Sequence, residues 1–557
     1  MNKFYYAALI IFTLLTSTTT AQQFTEQSTT RFPAPALNEY TNQISVGDVD
    51  NDGDIDLLFA NGGNFFSQGA PQAQRLFIND GDGNFTDESV TRLNFFGLVR
   101  GAEMGDIDDD GDLDIILAQD FNRQPQLFAN DGDGFFTNVT ATQLPQITLG
   151  SSRAQFGDID NDGDLDVYIN SGGTSRFGSG QNRIYTNDGT GNFSDATNAL
   201  HPIGNLSEPM DVIFGDIDGD FDLDVRLGST GNNNSRMLRN DGTGMMTFTP
   251  APNDSNCYSY DFADIDGDGD MDLFGANAGA GNTDLLLEND GNGTYAVISN
   301  QVSPNPNVDD NDSKFLDYDN DGDMDLIVAR LGTGGERLYN NDGNGNFTQT
   351  AGVFQILNDS SLDIVVADLN GDGRLDVVTA QGESGSFLNR IYINNGPVDT
   401  IPPRVVDTEV ADTETDGPYV VRSLILDGMS SDRNFFDGGI TLQYSVDGGA
   451  FESVPMRFSG GTVYRGEIPP QAPGAAVSYF VRAADMAGNS VDGAMQTVKV
   501  GGLLGDVNCD GSVDLLDVDP FVALLANNGF SPKADFDGDG NVTLLDVGPF
   551  VDLLAGN

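Results

Sequence analysis

The sequence predicts a mainly β protein: a seven-bladed β-propeller, then a β-sandwich, then a small α-helical calcium module. Three observations predict it. A nine-residue acidic loop recurs seven times, 48 to 58 residues apart. Near residue 399 these loops stop and alternating apolar runs take over. After residue 502, two twelve-residue oxygen-rich loops each precede an amphipathic stretch. The length of 557 residues also requires several domains, since single cores stop growing at ~250–300 residues.

The predicted order begins with a secretory signal at 1–21. Lys3 supplies positive charge, Phe4 to Leu15 an apolar run, and Thr19-Thr20-Ala21 small residues for cleavage. The run is shorter than the ~20 residues a membrane span needs. The expected location is therefore secreted or cell-surface associated, with no transmembrane segment after cleavage. Net charge is −61, from 86 acidic and 25 basic residues. Such a balance excludes a nucleic-acid grip and argues against docking on anionic lipid. The 38% apolar content is enough to fill cores, so the acid must be organised rather than disordered.

Residues 22–398 hold the seven loops. Periods near fifty residues are typical of propeller blades. In the first loop Asp48, Asp50, Asp52 and Asp56 offer side chains and Asp54 its carbonyl. The same places are held by Asp106, Asp108, Asp110, Asp112 and Asp114, by Asp158, Asp160, Asp162, Asp164 and Asp166, and by Asp216, Asp218, Asp220, Asp222 and Asp224. They recur as Asp264, Asp266, Asp268, Asp270 and Asp272, as Asp317, Asp319, Asp321, Asp323 and Asp325, and as Asp368, Asn370, Asp372, Arg374 and Asp376. Hard cations such as Ca²⁺ take six to eight oxygens. Two bare carboxylates ~4 Å apart repel by ~1–4 kcal/mol, and a bound dication reverses that sign. Two loops depart from the pattern. Phe221 replaces glycine at position 6 of the fourth, which predicts a strained turn. Arg374 at position 7 of the last leaves weaker calcium binding or an internal counter-ion.

Each loop precedes a short β run. Some 20–25 residues on comes a second signature: an apolar pair, Asn, a Gly-rich turn and an aromatic, as in LFINDGDGNF ending at Phe85. Asn-Asp-Gly between apolar runs signals a hairpin. No helix is expected before residue 500. Phe24-Thr25-Glu26 matches Phe85-Thr86-Asp87, while the seventh unit stops at Asn394-Asn395-Gly396 without that segment. The N-terminus is thus expected to complete the last blade and close the ring. These units resemble the FG-GAP/VCBS repeat family, which includes the integrin α-chain propeller; Phe156-Gly157 and Phe214-Gly215 fit the name. The resemblance implies structural loops that brace each blade, with ligands bound elsewhere on the disc.

Residues 399–501 open with Pro402-Pro403. Runs at Tyr419–Leu426, Ile440–Val446, Val463–Ile468, Val477–Ala483 and Met495–Val500 suggest an immunoglobulin- or fibronectin-like sandwich, read as a spacer. Residues 502–557 carry loop ligands Asp506, Asn508, Asp510, Ser512, Asp514 and Asp517, then Asp535, Asp537, Asp539, Asn541, Thr543 and Asp546. This region resembles a type I dockerin. The resemblance implies that loop positions 10 and 11, here Leu515, Leu516, Leu544 and Leu545, contact a cohesin-like or cell-surface partner; the alternative is that they pack the small core. Together the loops give up to nine Ca²⁺ sites.

No catalytic residue is marked. His201 is the only histidine, which removes triad and His-rich zinc chemistry, and it is expected at the surface. Cys257 and Cys509 lie in different predicted domains and form no disulfide framework. The recurring Phe residues are expected in the core. The reading is a calcium-binding propeller that binds a carbohydrate or protein ligand and is tethered by its tail. Its alternatives are a polysaccharide hydrolase or lyase and a surface-structural protein.

Overall fold

The computed structural model describes residues 22–34, 38–63, 68–172, 181–201, 209–230, 235–252, 256–279, 281–332, 334–355, 357, 359–382, 385–409, 417–430, 438–472, 474–500, 504–508, 513–527, 529, 531, 533–534, 536 and 541–555. The expected signal at 1–21 lies outside them, as do Cys509, Asp510, Ser512, Asp535, Asp537 and Asp539.

The fold of the first part is β-propeller-like. Six four-stranded sheets and one five-stranded sheet follow one another, each an antiparallel meander except for a parallel fifth strand. Every sheet starts with a seven-residue inner strand: Thr41–Gly47, Val99–Gly105, Ser151–Gly157, Pro209–Gly215, Cys257–Ala263, Asp310–Leu316 and Ser361–Ala367. The inner strands pack side by side, and the last returns to the first. The acidic loop follows. A six-residue second strand then starts at the loop's ninth residue, as in Asp56–Asn61. These second strands are almost entirely buried, which explains their continuous apolar runs, such as Leu57-Leu58-Phe59.

The ring closes between the two ends of the repeat array. Phe24–Glu26 pairs antiparallel with Arg390–Asn394, Phe24 opposite Asn394 and Glu26 opposite Tyr392. Within the first repeat Phe85 stands opposite Asn79 and Asp87 opposite Phe77, the same register. Phe24 is fully buried and stacks on Phe354 at 4.4 Å. This closure covers the edge of Arg390–Asn394 and gives the last sheet its fourth strand.

A second ring of bonds runs along the axis. Gln43 Oε1 accepts from Ala102 N at 2.9 Å, and Gln155 Oε1 from Phe214 N at 3.1 Å. Asp211, Asp261, Asp312 and Asp363 accept likewise from Tyr260, Phe315, Ile364 and Ile44, at 2.8 to 2.9 Å. Each bond crosses from one inner strand to the next. Arg153 lies between Asp363 at 2.7 Å and Asp211 at 3.6 Å, and Lys314 is 3.5 Å from Asp261. Buried acids are tolerated here because donors and cations face them.

Residues 404–499 form two sheets around one core. The first runs Arg404–Thr408, Tyr419–Leu426, Val463–Ile468, Arg457–Gly460. The second runs Glu452–Pro455, Ile440–Val446, Ala476–Ala484, Ser490–Asp492, with Gln496–Lys499 also on Ala476–Ala484. Val421, Leu442, Val477, Tyr479 and Val481 fill the space between. The unit is not a free spacer. Asp158 N donates to Ser459 O and Asp317 N to Gly428 O, both at 2.7 Å. Leu424 and Val463 pack with Phe214, Leu223 and Val225 of the fourth repeat. The C-terminal helices Val518–Asn527 and Val547–Leu554 pack through Phe521 and Phe550, stacked at 4.3 Å.

Two expectations are corrected. Short helical turns do occur before residue 500, at Ser28–Arg31, Ser89–Leu93, Thr140–Gln143, Thr197–Leu200 and Ser299–Gln301. Each is about one turn, too short for helical periodicity to register. His201 is not at the surface. It is buried, and its Nε2 lies 2.7 Å from the buried Tyr168 hydroxyl. It closes such a turn, its backbone N donating to Thr197 O at 2.9 Å.

Phe24→Ala tests the closure. It should lower the stability of the repeat region by about 3–5 kcal/mol, as measured by urea denaturation of the mature chain.

Candidate metal centres in the repeat loops

All seven loops share one backbone. Position 6 has positive φ throughout, from +105° at Gly163 to +66° at Phe221. Position 4 does as well: Asn51, Asp109, Asn161, Gly219, Gly267, Asn320 and Gly371. Asn, Asp and Gly enter that region most readily, which explains the choice at position 4. The two left-handed residues fold the loop so that alternate side chains turn inward.

The inward carboxylates have distinct roles. At position 1, Asp48 Oδ1 accepts from Asp52 N at 3.1 Å and Oδ2 from Gly53 N at 2.8 Å. At position 9, Asp56 is fully buried; Oδ2 accepts from Val49 N at 3.1 Å and Oδ1 from Asn79 N at 2.8 Å. Every position-9 aspartate is at most 2% exposed. At position 3, the buried Oδ1 atoms of Asp50, Asp108, Asp160, Asp218 and Asp319 have no hydrogen-bond partner, and neither does Oδ2 of the buried Asp325. Carboxylate oxygens of Asp48, Asp50 and Asp56 converge within 4.8 Å, as do those of Asp106, Asp108 and Asp114, of Asp216, Asp218 and Asp224, and of Asp264, Asp266 and Asp272. In the third loop the group is Asp158, Asp160 and Asp162. Converging, partnerless oxygens fit a hard divalent cation. The set Asp, Asp, Asp with backbone oxygen nearby is the donor chemistry such an ion takes.

Position 7 does something else. Asp54 leans on Gly81 of the hairpin turn, where a Cβ would meet its Oδ2 at 2.6 Å. The pairs Asp112–Gly132, Asp164–Gly189, Asp222–Gly242, Asp270–Gly291 and Asp323–Gly343 repeat this. In the seventh loop Arg374 occupies the place. Its Nε donates to Gly396 O at 2.8 Å and its Nη1 pairs with Asp372 at 3.1 Å, so it serves as an internal counter-ion.

Sequence reasoning missed the asparagine of the second signature. Asn79 Nδ2 donates at 2.9 Å to Ile55 O in its own repeat and at 2.9 Å to Leu369 O in the seventh. Asn130, Asn187, Asn240, Asn289 and Asn341 also bond to a carbonyl at position 2 of another loop. Where Asn394 stands, Gln23 Nε2 reaches Tyr318 O at 2.7 Å instead. The signal was present as the invariant Asn after each apolar pair, but it reads as hairpin chemistry alone.

In the C-terminal unit the two position-12 acids behave alike. Asp517 accepts from Asn508 N and Asp514 N, both at 2.9 Å; Asp546 accepts from Phe536 N and Thr543 N, both at 2.7 Å. Asp506 is buried and Asn541 exposed. Leu515, Leu516, Leu544 and Leu545 are 66 to 83% exposed, so they do not pack the small core. Cys257 is buried, its Sγ 3.1 Å from Ser259 O.

Burial pushes the position-9 carboxyls upward. Asp114 reaches about 7, Asp56, Asp224 and Asp272 about 8, and Asp325 about 9, with backbone N–H bonds pulling the other way. A carboxyl raised in the fold favours folding while protonated, below its unfolded value near 4. That contribution is lost as pH rises through 7 to 9. Metal-free protein should therefore melt lower at pH 9 than at pH 5, and added divalent cation should bind more tightly at the higher pH and restore the melting temperature. Calorimetric melts with and without chelator check both signs.

A family model described as FG-GAP-like repeat matches residues 48–117, 106–169, 174–226, 227–275, 264–328 and 317–379. A 204-residue stretch is 30% identical to Cartilage acidic protein 1 of Xenopus tropicalis, covering 34% of this chain and 29% of that protein. The chain thus matches less than a third of that relative's length. A chain of the Photorhabdus luminescens Tc holotoxin pore aligns over 76% of this chain and 22% of its own, at 13% identity and a TM-score of 0.34.

Proposed function

Because this chain belongs to the FG-GAP-like repeat family, we propose that it is a secreted, calcium-braced binding module. In this reading residues 22–398 are a seven-bladed propeller, 399–501 an immunoglobulin- or fibronectin-like sandwich, and 502–557 a dockerin-like docking module. The observation that carries it is the same partnerless Oδ1 at position 3 in five loops. One orphan could be local accident; the same atom in five copies marks a recurring ligand. Calcium suits it best, since all donors are hard oxygens.

The ions are structural here. Each sits where an inner strand turns into a buried second strand, and repetition around the ring argues against a unique reaction centre. Ligand recognition then falls to the face away from the loops, where second and third strands connect. The two-sheet unit covers part of the loop face. The ligand is a carbohydrate or a protein. The exposed leucine pairs at equivalent places in two similar loops suit a tail that meets a cohesin-type or cell-surface partner. Among the described residues, no helix is long and apolar enough to cross a membrane.

Three measurements test this. Calcium titration of the mature chain should fill up to nine sites. Retention on insoluble polysaccharides or a protein ligand should disappear with EGTA. Leu515→Asp, Leu516→Asp, Leu544→Asp and Leu545→Asp combined should abolish tail capture by a cohesin-type partner while calcium stoichiometry is unchanged. Capture that survives them sinks the docking part of the reading.

A further inference from the structure

Four arginines of the two-sheet unit reach four consecutive acidic loops. Arg457 pairs with Asp109 of the second loop. Arg465 Nη1 lies 3.3 Å from Asp158 Oδ2 and donates to Asn161 O of the third at 3.0 Å. Arg422 Nη1 meets Asp222 Oδ1 of the fourth at 2.7 Å and Phe221 O at 3.0 Å; it also reaches Asn161 Oδ1 at 3.0 Å. Arg404 Nη1 lies 2.6 Å from Asp264 Oδ2 of the fifth. One strand array therefore supplies one guanidinium per repeat.

Arg457 and Arg422 hold carboxylates outside the converging groups, Asp109 at position 4 and Asp222 at position 7, whereas Arg465 and Arg404 each take one oxygen of a position-1 candidate ligand, Asp158 and Asp264. The Oδ1 atoms of Asp108, Asp160 and Asp218 remain without a hydrogen-bond partner beneath them. In loops two to four an unpartnered inner oxygen thus stays open to a cation, while in loops three and five guanidinium and cation would share the position-1 carboxylate. Besides these carboxylates, the arginines bind two loop carbonyls, those of Asn161 and Phe221. Both those residues have positive φ, so the direction of their carbonyls exists only while the loop holds its folded shape.

Phe221 now has a reason. A side chain at φ +66° costs ~1–2 kcal/mol relative to glycine. Here the ring lies 5.9 Å from the Arg422 guanidinium carbon and packs beside Leu223, Leu424 and Val406. The only loop that breaks the glycine rule at position 6 is the one whose sixth residue stacks on the docked unit.

We propose that the two-sheet unit is a cation-dependent clamp: Arg404, Arg422, Arg457 and Arg465 close on loops two to five, with Phe221 as anchor, when the inner oxygens of those loops hold divalent cations. Emptied loops carry several like charges within a few ångströms, which repel and open the rim that the arginines grip. By linkage, docking tightens cation binding by the same factor that cations tighten docking. The clamp rests on the calcium reading above, and it assigns the unit a role other than spacing.

The test uses the mature full chain, small-angle X-ray scattering, and limited proteolysis at residues 399–403. With calcium, the wild type should be compact and that segment protected. With EGTA the radius of gyration should rise and protection should be lost. The combined Arg404→Gln, Arg422→Gln, Arg457→Gln and Arg465→Gln variant should be extended even in calcium, with unchanged calcium stoichiometry. Phe221→Gly, a gentler change, should keep the calcium stoichiometry, lose protection and, by the same linkage, bind calcium more weakly than the wild type. A wild type that stays compact after its calcium is shown to be gone overturns the clamp and leaves the calcium reading standing. So does a Phe221→Gly protein as protected as the wild type. Failure to bind calcium at all overturns both.

Discussion

The architecture depends on one buried contact made in six of the seven loops: the position-9 aspartate, held by two backbone N–H groups from two different segments; in the sixth loop Asp325 keeps the Asn341 N bond, and its Oδ2 is without a partner. One donor comes from the second residue of its own loop and the other from the residue after the third strand. The carboxylate therefore ties inner strand, loop and hairpin strand into one corner. Its neighbour asparagine then stitches that corner to the preceding loop around the ring. Removing water from such an acid is costly unless donors or cations replace it. The rest of the acidic loop, with its convergent oxygens, is the arrangement that supplies the replacement.

Charge is thus compartmentalised rather than simply abundant. On the axis, Asp211, Asp261, Asp312 and Asp363 bind backbone amides of the next inner strand, and Arg153 and Lys314 offset part of their charge. At the rim, arginines take over. Arg92 reaches Asp50 of the preceding loop at 3.2 Å and Arg239 reaches Asp218 at 2.8 Å, in the same way that the two-sheet unit reaches loops two to five. The guanidinium fork suits this work, because it can grip a carboxylate and a carbonyl together. A chain of net charge −61 spends its few cations at seams between units.

Much of this was legible in the sequence where the cause was local. The nine-residue loops, the hairpin turns and the second strands follow from fixed spacings, and the shared register of Phe24 and Phe85 could be read from matching tripeptides. The strand runs at Tyr419–Leu426, Ile440–Val446 and Val463–Ile468 also stand where alternation places them. Long-range chemistry left no such trace. Asp211 or Asp363 within a β run looks like an exposed position, yet each faces the axis. Arg422 and Arg465 fall on the polar phase of their strands, which reads as solvent; that face instead meets the acidic loops. His201 was misread for the same reason, since nothing beside it in the chain announces Tyr168.

The pairing of Phe24–Glu26 with Arg390–Asn394 has a consequence for the order of events in making the protein. Synthesis runs from the N-terminus, so the first strand of the ring emerges first and finds its place last. Until residue 394 exists, Phe24 has no strand to join, and each finished repeat ends in an open edge that can pair with anything flat. Bringing together segments so far apart carries a closure cost that grows only slowly with length, but it makes assembly slow compared with local hairpins. The repeat region is therefore most vulnerable as an almost complete ring, and its final step is the one in which residues 24–26 are recognised by residues 390–394.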